Sequence, residues 1–162
     1  MSKNLIHAFF VYGTLLPKQP NFSLWKSDIS HMMPATLNGG LLYDMGYYPM
    51  LVAAKESHLV HGMVMTVHSD KYALVLQRLD GLEGYDPNQP NQTGYRRRLV
   101  KVVLQNGRFQ PAWAYLGQSA LVTNKQMIES GDWATYAAQT QPKLHEWWKT
   151  IDTVANLHEK GK

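Results

Sequence analysis

Asn106-Gly107 separates two β-rich runs, YRRRLVKVVLQ and RFQPAWAYLG. Asn-Gly between such runs is the strongest short-range signal for an antiparallel hairpin. Pro111 has no backbone N–H, so it places part of the second arm at an edge or a bulge. Other strand-like pieces precede the hairpin. HAFFVY is a short, bulky apolar run suited to a strand buried on both faces, and Gly13 and Pro17 end it. ATLNGGLLYDMGYYPMLV, cut by Gly39, Gly40, Gly46 and Pro49, reads as short strands with tight turns. LVHGMVMTVHS reads as a further strand in which Gly62 permits a bulge or a close backbone approach. The mixed, polar stretch between Gly13 and Pro34 has no assignable period.

Helical patterns come later. Ser69 is placed to cap a helix over residues 70–80, and Gly84 can stop it in a left-handed conformation. Gly81 weakens the last turn by about 1 kcal/mol. A further helix can start at Ser130 or Asp132. PKLHEWWKTIDTVANLHEK then fits a helix with Pro142 in its first turn and Leu144, Trp147, Trp148, Ile151, Val154 and Ala155 on one face. Strands first, one helix in the middle and helices last make an α+β chain with a small mixed sheet or barrel. The expected organisation is a barrel domain over residues 1–119 with a C-terminal helical extension over 120–162. The Trp147-Trp148 helix could cap the barrel or pair two chains as a homodimer.

With 44% apolar and 17% charged residues, the 162-residue chain is globular and long enough for one ordinary core. The net charge of +4 admits acidic ligands and does not announce nucleic acid. There is no cysteine, which removes disulfides and thiol catalysis. No run reaches the roughly 18 apolar residues of a membrane span. The N-terminus lacks a signal-peptide cleavage site and reads as a buried strand. The expectation is a soluble, cytoplasmic protein. The seven histidines show no HExxH pattern, and His58 and His61 fall on opposite faces of a strand, so no metal is expected. Arg96, Arg97 and Arg98 alternate faces, which reads as a solvated strand face plus one structural arginine.

One residue is out of place. In LDGLEGYDP, Glu83 lies about 40° from Leu79 and about 20° from Leu76 on a helical wheel. If the helix reaches that far, its carboxylate points where a core residue should. Burying an ionised carboxylate without partners costs several kcal/mol. Either the helix ends first, or the burial has a use. A second candidate is VYGTLLP, where a buried strand ends in Tyr12, Gly13 and Thr14. Successive N–H groups in such a turn can form an anion-binding concavity, and Gly13 lets a ligand approach the backbone.

VYGTL, a helix ending in LDGLEGYDP, then GYRRRLVKVVL and AWAYLG, with ATLNGG, LYDMG, YYPMLV and VHGMV between them in order, resemble the γ-glutamylcyclotransferase-like (AIG2-like) family over residues 8–117. The resemblance implies a small mixed β-barrel flanked by helices, with the YGTL turn at the mouth of a cavity and the glutamate inside it. It implies Glu83 as the acid/base, and Tyr12, Gly13, Thr14, Leu15 and Tyr115 as substrate-binding residues. Tyr95 and Arg97 match a structural Tyr-x-Arg pattern. Leu16 departs from the basic or polar residue common after YGTL, and the loop from Asp86 to Gly94 is long.

The implied reaction cyclises a small γ-glutamyl amine or peptide to 5-oxoproline and a free amine, without metal or cofactor. The α-ammonium, with a pKa of about 7.8, must lose a proton; an ordinary glutamate near 4.3 takes it at a cost of roughly 4.8 kcal/mol, and one raised to about 6.5 at roughly 1.8 kcal/mol. A carboxylate on an apolar face suits that step. The runner-up is a catalytically silent module of the same fold that binds a small anionic metabolite. A third reading pairs Glu83 with Asp80 or Asp86, as in glycoside hydrolysis.

Overall fold

The computed structural model describes residues 6–89 and 91–140. In chain order these form β1 (Ala8–Val11), β2 (Ile29–Asn38), β3 (Gly40–Asp44), β4 (Pro49–Ala53), β5 (Leu59–Val67), α1 (Tyr72–Glu83), β6 (Arg96–Leu104), β7 (Phe109–Leu116), β8 (Gln126–Ile128) and α2 (Trp133–Thr140). Five strands close a barrel in the order β1-β5-β2-β6-β7, and a second sheet runs β4-β3-β8. The barrel is mixed: β1 is antiparallel to β5 and parallel to β7. All four residues of β1 are buried, as a strand with a neighbour on each side and core on each face requires.

The β6–β7 hairpin forms where Asn-Gly marks it, with Val103 opposite Phe109. Its connection is a three-residue loop. Gly107 N donates to Leu104 O at 2.8 Å, Leu104 N to Arg108 O at 2.8 Å, and Gly107 takes φ +87°. Gly107 therefore supplies the left-handed step that follows a three-residue turn. Pro111 sits opposite Lys101, just before β1 begins to pair with β7 at Ala112.

The unassigned stretch before Pro34 contains the first half of β2, which runs through Pro34 and pairs with β5 from Ile29↔Val67 to Asn38↔Leu59. Its first half is largely exposed, so no apolar period advertises it; backbone pairing alone holds it. Gly62 makes a close approach rather than a bulge. An added Cβ would stand 2.2 Å from Val11 O, and the register through Ala35↔Gly62 is continuous. Gly62→Ala should cost about 1–3 kcal/mol, read as a lower urea midpoint, because β1 must shift to admit the methyl.

α1 starts differently from the expectation. Ser69 opens a 3-10 turn over Ser69–Lys71, and no side chain caps α1. The 3-10 carbonyls take the first helical N–H groups, so a serine cap has nothing left to satisfy. The helix continues past Gly81 to Glu83. Gly84 (φ +73°) then closes it, with Gly84 N on Gly81 O at 3.2 Å and Tyr85 N on Asp80 O at 2.8 Å.

Downstream, β8 adds an unanticipated third strand to β3, with Leu42 opposite Ile128. Asp132, not Ser130, caps α2: its carboxylate accepts from Thr135 N at 3.3 Å and from Thr135 Oγ1 at 3.0 Å. The Trp147-Trp148 helix expected from Pro142 onward lies outside the described residues. Among those described, no helix is long and apolar enough to cross a membrane.

Candidate active site

Glu83 is the last residue of α1, and the helix that carries it is anchored by fully buried Val75 and Leu79. Its side chain opens into a cleft of about 370 Å³, counting the space that reaches solvent at the mouth. Across that cleft stand Tyr12, Gly13, Thr14 and Leu15, with Tyr115 from β7. All six residues singled out in the sequence therefore line one space. The helix does extend far enough to turn Glu83 inward.

Burial pushes the Glu83 carboxyl up to about 8. Among the described residues it has no hydrogen bond or ion pair that would hold its charge. It is partly exposed and lines the cleft. Four tyrosines surround it. Burial, and then the Glu83 charge, raise Tyr12 well above the ordinary phenol range and Tyr48 to about 12. Tyr95 is raised by burial first, then by Tyr12 and Glu83, and Tyr115 by burial first, then by Asp80. All four phenols stay protonated at neutral pH.

The turn after β1 is held from behind through its carbonyls. Gly13 O accepts from Leu16 N at 3.1 Å, Thr14 O from Asn21 N at 2.9 Å and Leu15 O from Trp25 Nε1 at 3.1 Å. Asn21 Nδ2 also donates to Thr14 Oγ1 at 3.0 Å. The N–H groups of Gly13, Thr14 and Leu15 make no hydrogen bond among the described residues, which leaves a concavity of donors suited to an anion. Gly13 also has a packing role. An added Cβ would lie 2.7 Å from Pro49 Cγ, so the close approach it permits is by Pro49, which also lines the cleft. Leu16 is buried and belongs to the core rather than the rim.

Asp80, three residues before Glu83, faces away from this chemistry. Its Oδ1 accepts from Arg97 Nε at 2.9 Å and from Tyr115 OH at 2.7 Å. Arg97 lies over Trp113 and beside Tyr85, its guanidinium carbon 4.6 and 5.6 Å from their ring centroids. Arg97 is thus the structural arginine of the triplet. Asp86 instead takes Asn88 N at 2.9 Å. Neither aspartate lines the cleft, so among the described residues a paired-carboxylate site has no second acid. The long loop after α1 is tied down by Gln92, which accepts from Asp86 N at 2.8 Å and donates to Gly84 O at 2.6 Å.

Sequence reasoning missed Tyr48 and gave Tyr95 only a structural role. Tyr95 does hold the scaffold, donating to Pro49 O at 2.6 Å, yet both tyrosines line the cleft. YYPM carries two adjacent tyrosines in the bend between β3 and β4, and only the folded course of that bend decides that Tyr48 is buried while Tyr47 is exposed.

Residues 9–135 match the family described as gamma-glutamyl cyclotransferase, AIG2-like. The chain belongs to that family. A Vibrio cholerae protein whose name, gamma-glutamylcyclotransferase, is itself provisional is 33% identical over 127 residues, covering 78% of this chain and 95% of that one. YkqA of Bacillus subtilis superposes with a TM-score of 0.63 at 24% identity, over 86% of this chain and 44% of its own. This family member thus spans less than half the length of YkqA. An AIG2-like protein of Mus musculus superposes with a TM-score of 0.51 at 21% identity, over 68% of this chain and 76% of its own, and at that identity shares the fold alone.

Proposed function

We propose that this family member is a γ-glutamyl cyclotransferase. It converts a small γ-glutamyl amine or peptide to 5-oxoproline and a free amine, with Glu83 as general acid/base. The observation that carries this reading is a desolvated glutamate, without a hydrogen-bond partner among the described residues, that shares one cleft with a turn whose N–H groups are likewise unpartnered there. The turn holds a carboxylate or polarises the γ-carbonyl. Glu83 takes a proton from the substrate's α-ammonium, and the amine nitrogen attacks the γ-carbonyl carbon to form the ring C–N bond. Glu83 returns the proton to the leaving nitrogen as the original amide C–N bond breaks, and the second proton that the ring nitrogen sheds to become the lactam N–H leaves with the amine as its ammonium. Nucleophile and electrophile belong to one molecule, so a correctly folded substrate gains from proximity.

With Glu83 at about 8 and the α-ammonium near 7.8, the two pKa values are matched and the first proton transfer is close to balanced. The productive pair is ionised Glu83 with protonated amine. kcat/KM should therefore be bell-shaped, falling about tenfold per pH unit below about 8 as Glu83 takes up its proton. A stopped-time assay of 5-oxoproline from pH 5.5 to 9.5 checks this. An acid limb near pH 4.5 would contradict the role of burial.

Among the described residues, the cleft lining contains no Lys, Arg or His. A leaving group with a carboxylate beside the scissile bond finds no cation there and meets the Glu83 charge instead. γ-Glutamyl amines should outrun γ-glutamyl dipeptides by about tenfold in kcat/KM, since one unpaired charge pair at close range is worth on the order of 1 kcal/mol or more. The reaction needs no metal or cofactor. A folded protein silent across both substrate classes would be the binding module instead.

A further inference from the structure

Three of the phenols in the cleft have already spent their protons. Tyr12 OH donates to Tyr115 O at 2.5 Å, Tyr95 OH to Pro49 O at 2.6 Å and Tyr115 OH to Asp80 Oδ1 at 2.7 Å. Two of these acceptors are carbonyls and the third is a carboxylate that also receives Arg97. None of them can donate, so the direction of each bond is forced. A phenol has one proton. Any further hydrogen bond these oxygens make must be one they accept, and Tyr12 already accepts one from the Leu51 N–H, which leaves it a single lone pair. All three tyrosines line the same cleft as Glu83.

The cleft is thus divided by hydrogen-bond polarity. The turn of Gly13, Thr14 and Leu15 offers donors, and the tyrosine side offers acceptors. We propose that Tyr12, Tyr95 and Tyr115 form an acceptor-only wall that selects a primary ammonium group and disfavours the lactam product. Asp80 is the positioning residue that holds Tyr115 in that polarity. The identity of the product rests on the cyclotransferase reading; the selection of an ammonium does not.

An ammonium carries three N–H donors and a positive charge, and satisfies such a wall. Cyclisation turns that nitrogen into a lactam with one N–H and no charge. The same surface then meets a group with too few donors, and its oxygens lose their partners. The wall therefore grips the substrate before ring closure and releases the product after it. No moving segment is needed.

The test uses the whole wild-type chain and three probes that do not react. L-Norvaline carries the α-amino acid head group, pentanoate lacks the ammonium, and 5-oxoproline is the lactam. Affinities are read by NMR titration of the cleft residues. Norvaline should bind at least about tenfold more tightly than either other probe, the scale of hydrogen bonds to a charged group. Tyr115→Phe leaves Asp80 paired with Arg97 and should cut the norvaline-to-pentanoate ratio about fivefold or more, with pentanoate affinity unchanged. If that variant does not fold, Tyr95→Phe gives the same ratio from the other part of the ring. Equal binding of norvaline and 5-oxoproline by the wild type would overturn the wall. So would a substitution that weakens all three probes alike, since that marks packing only. A preserved ratio without turnover of any γ-glutamyl compound would keep the wall and remove the reaction; turnover with a ratio near one would do the reverse.

Discussion

Glu83→Gln should give a more stable protein that no longer turns over. The amide keeps the size and shape of the side chain, so the cleft stays formed. It cannot accept the ammonium proton or return one to the leaving nitrogen. Loss of a positioned general acid/base lowers kcat by about 10²–10⁴-fold, with ligand binding largely retained. The stability effect has a definite sign. Burial raises the Glu83 pKa from an ordinary 4.5 to about 8, so the folded state holds this proton more tightly than the unfolded chain does. The neutral carboxyl is tolerated fully below the unfolded value. As pH climbs from there, unfolding releases a proton and stability falls until the folded group itself ionises. The full linkage is on the order of 5 kcal/mol, and water in the cleft reduces it to a few. Urea denaturation at pH 5, 7 and 9 should show wild type and Glu83→Gln nearly equal at pH 5. The variant should lead by a widening margin above it. A constant difference across that range would mean that Glu83 is not held in a desolvated site.

The second large effect lies one helical turn away. Asp80→Ala should destabilise the fold by about 3–5 kcal/mol, because it strands Arg97 in a largely buried position. Asp80 and Arg97 side chains are 9% and 12% exposed, so solvent cannot replace the lost partner. Tyr115 OH loses its acceptor in the same step. Arg97→Lys is not conservative here, since the planar guanidinium also lies over Trp113. A cycle with Asp80→Leu and Arg97→Met should show strong coupling. Each single change is costly, and the double change, which leaves no buried charge, should recover at least half of the loss. Additive costs would mean that the pair contributes little beyond packing.

The site was legible in the sequence where chemistry and pattern disagreed. Glu83 stood out because a helical period carried a charge inward, and the structure turns it inward for that reason. The β6–β7 hairpin was legible through Asn106-Gly107, although only the hydrogen bonds of Leu104, Gly107 and Arg108 reveal the three-residue form of its turn. β2 was not legible. Its first residues lie on an exposed strand, and backbone pairing leaves no hydropathy trace. β8 is three residues long, too short for any period to register. Tyr48 and Pro49 reach the cleft through the β3–β4 turn, which brings residues distant in sequence against Gly13. Gly13 was singled out for the approach of a ligand, and the packed structure shows Pro49 against it.

The most direct measurement is mass-spectrometric detection of 5-oxoproline from an isotope-labelled γ-glutamyl amine, with Glu83→Gln run beside the wild type. Labelled 5-oxoproline and free amine should appear in equal amounts with the wild type and fall at least about a hundredfold with the variant. Equal release by both proteins, or none by a folded wild type across γ-glutamyl amines and dipeptides, would contradict Glu83 as the acid/base of a cyclotransferase.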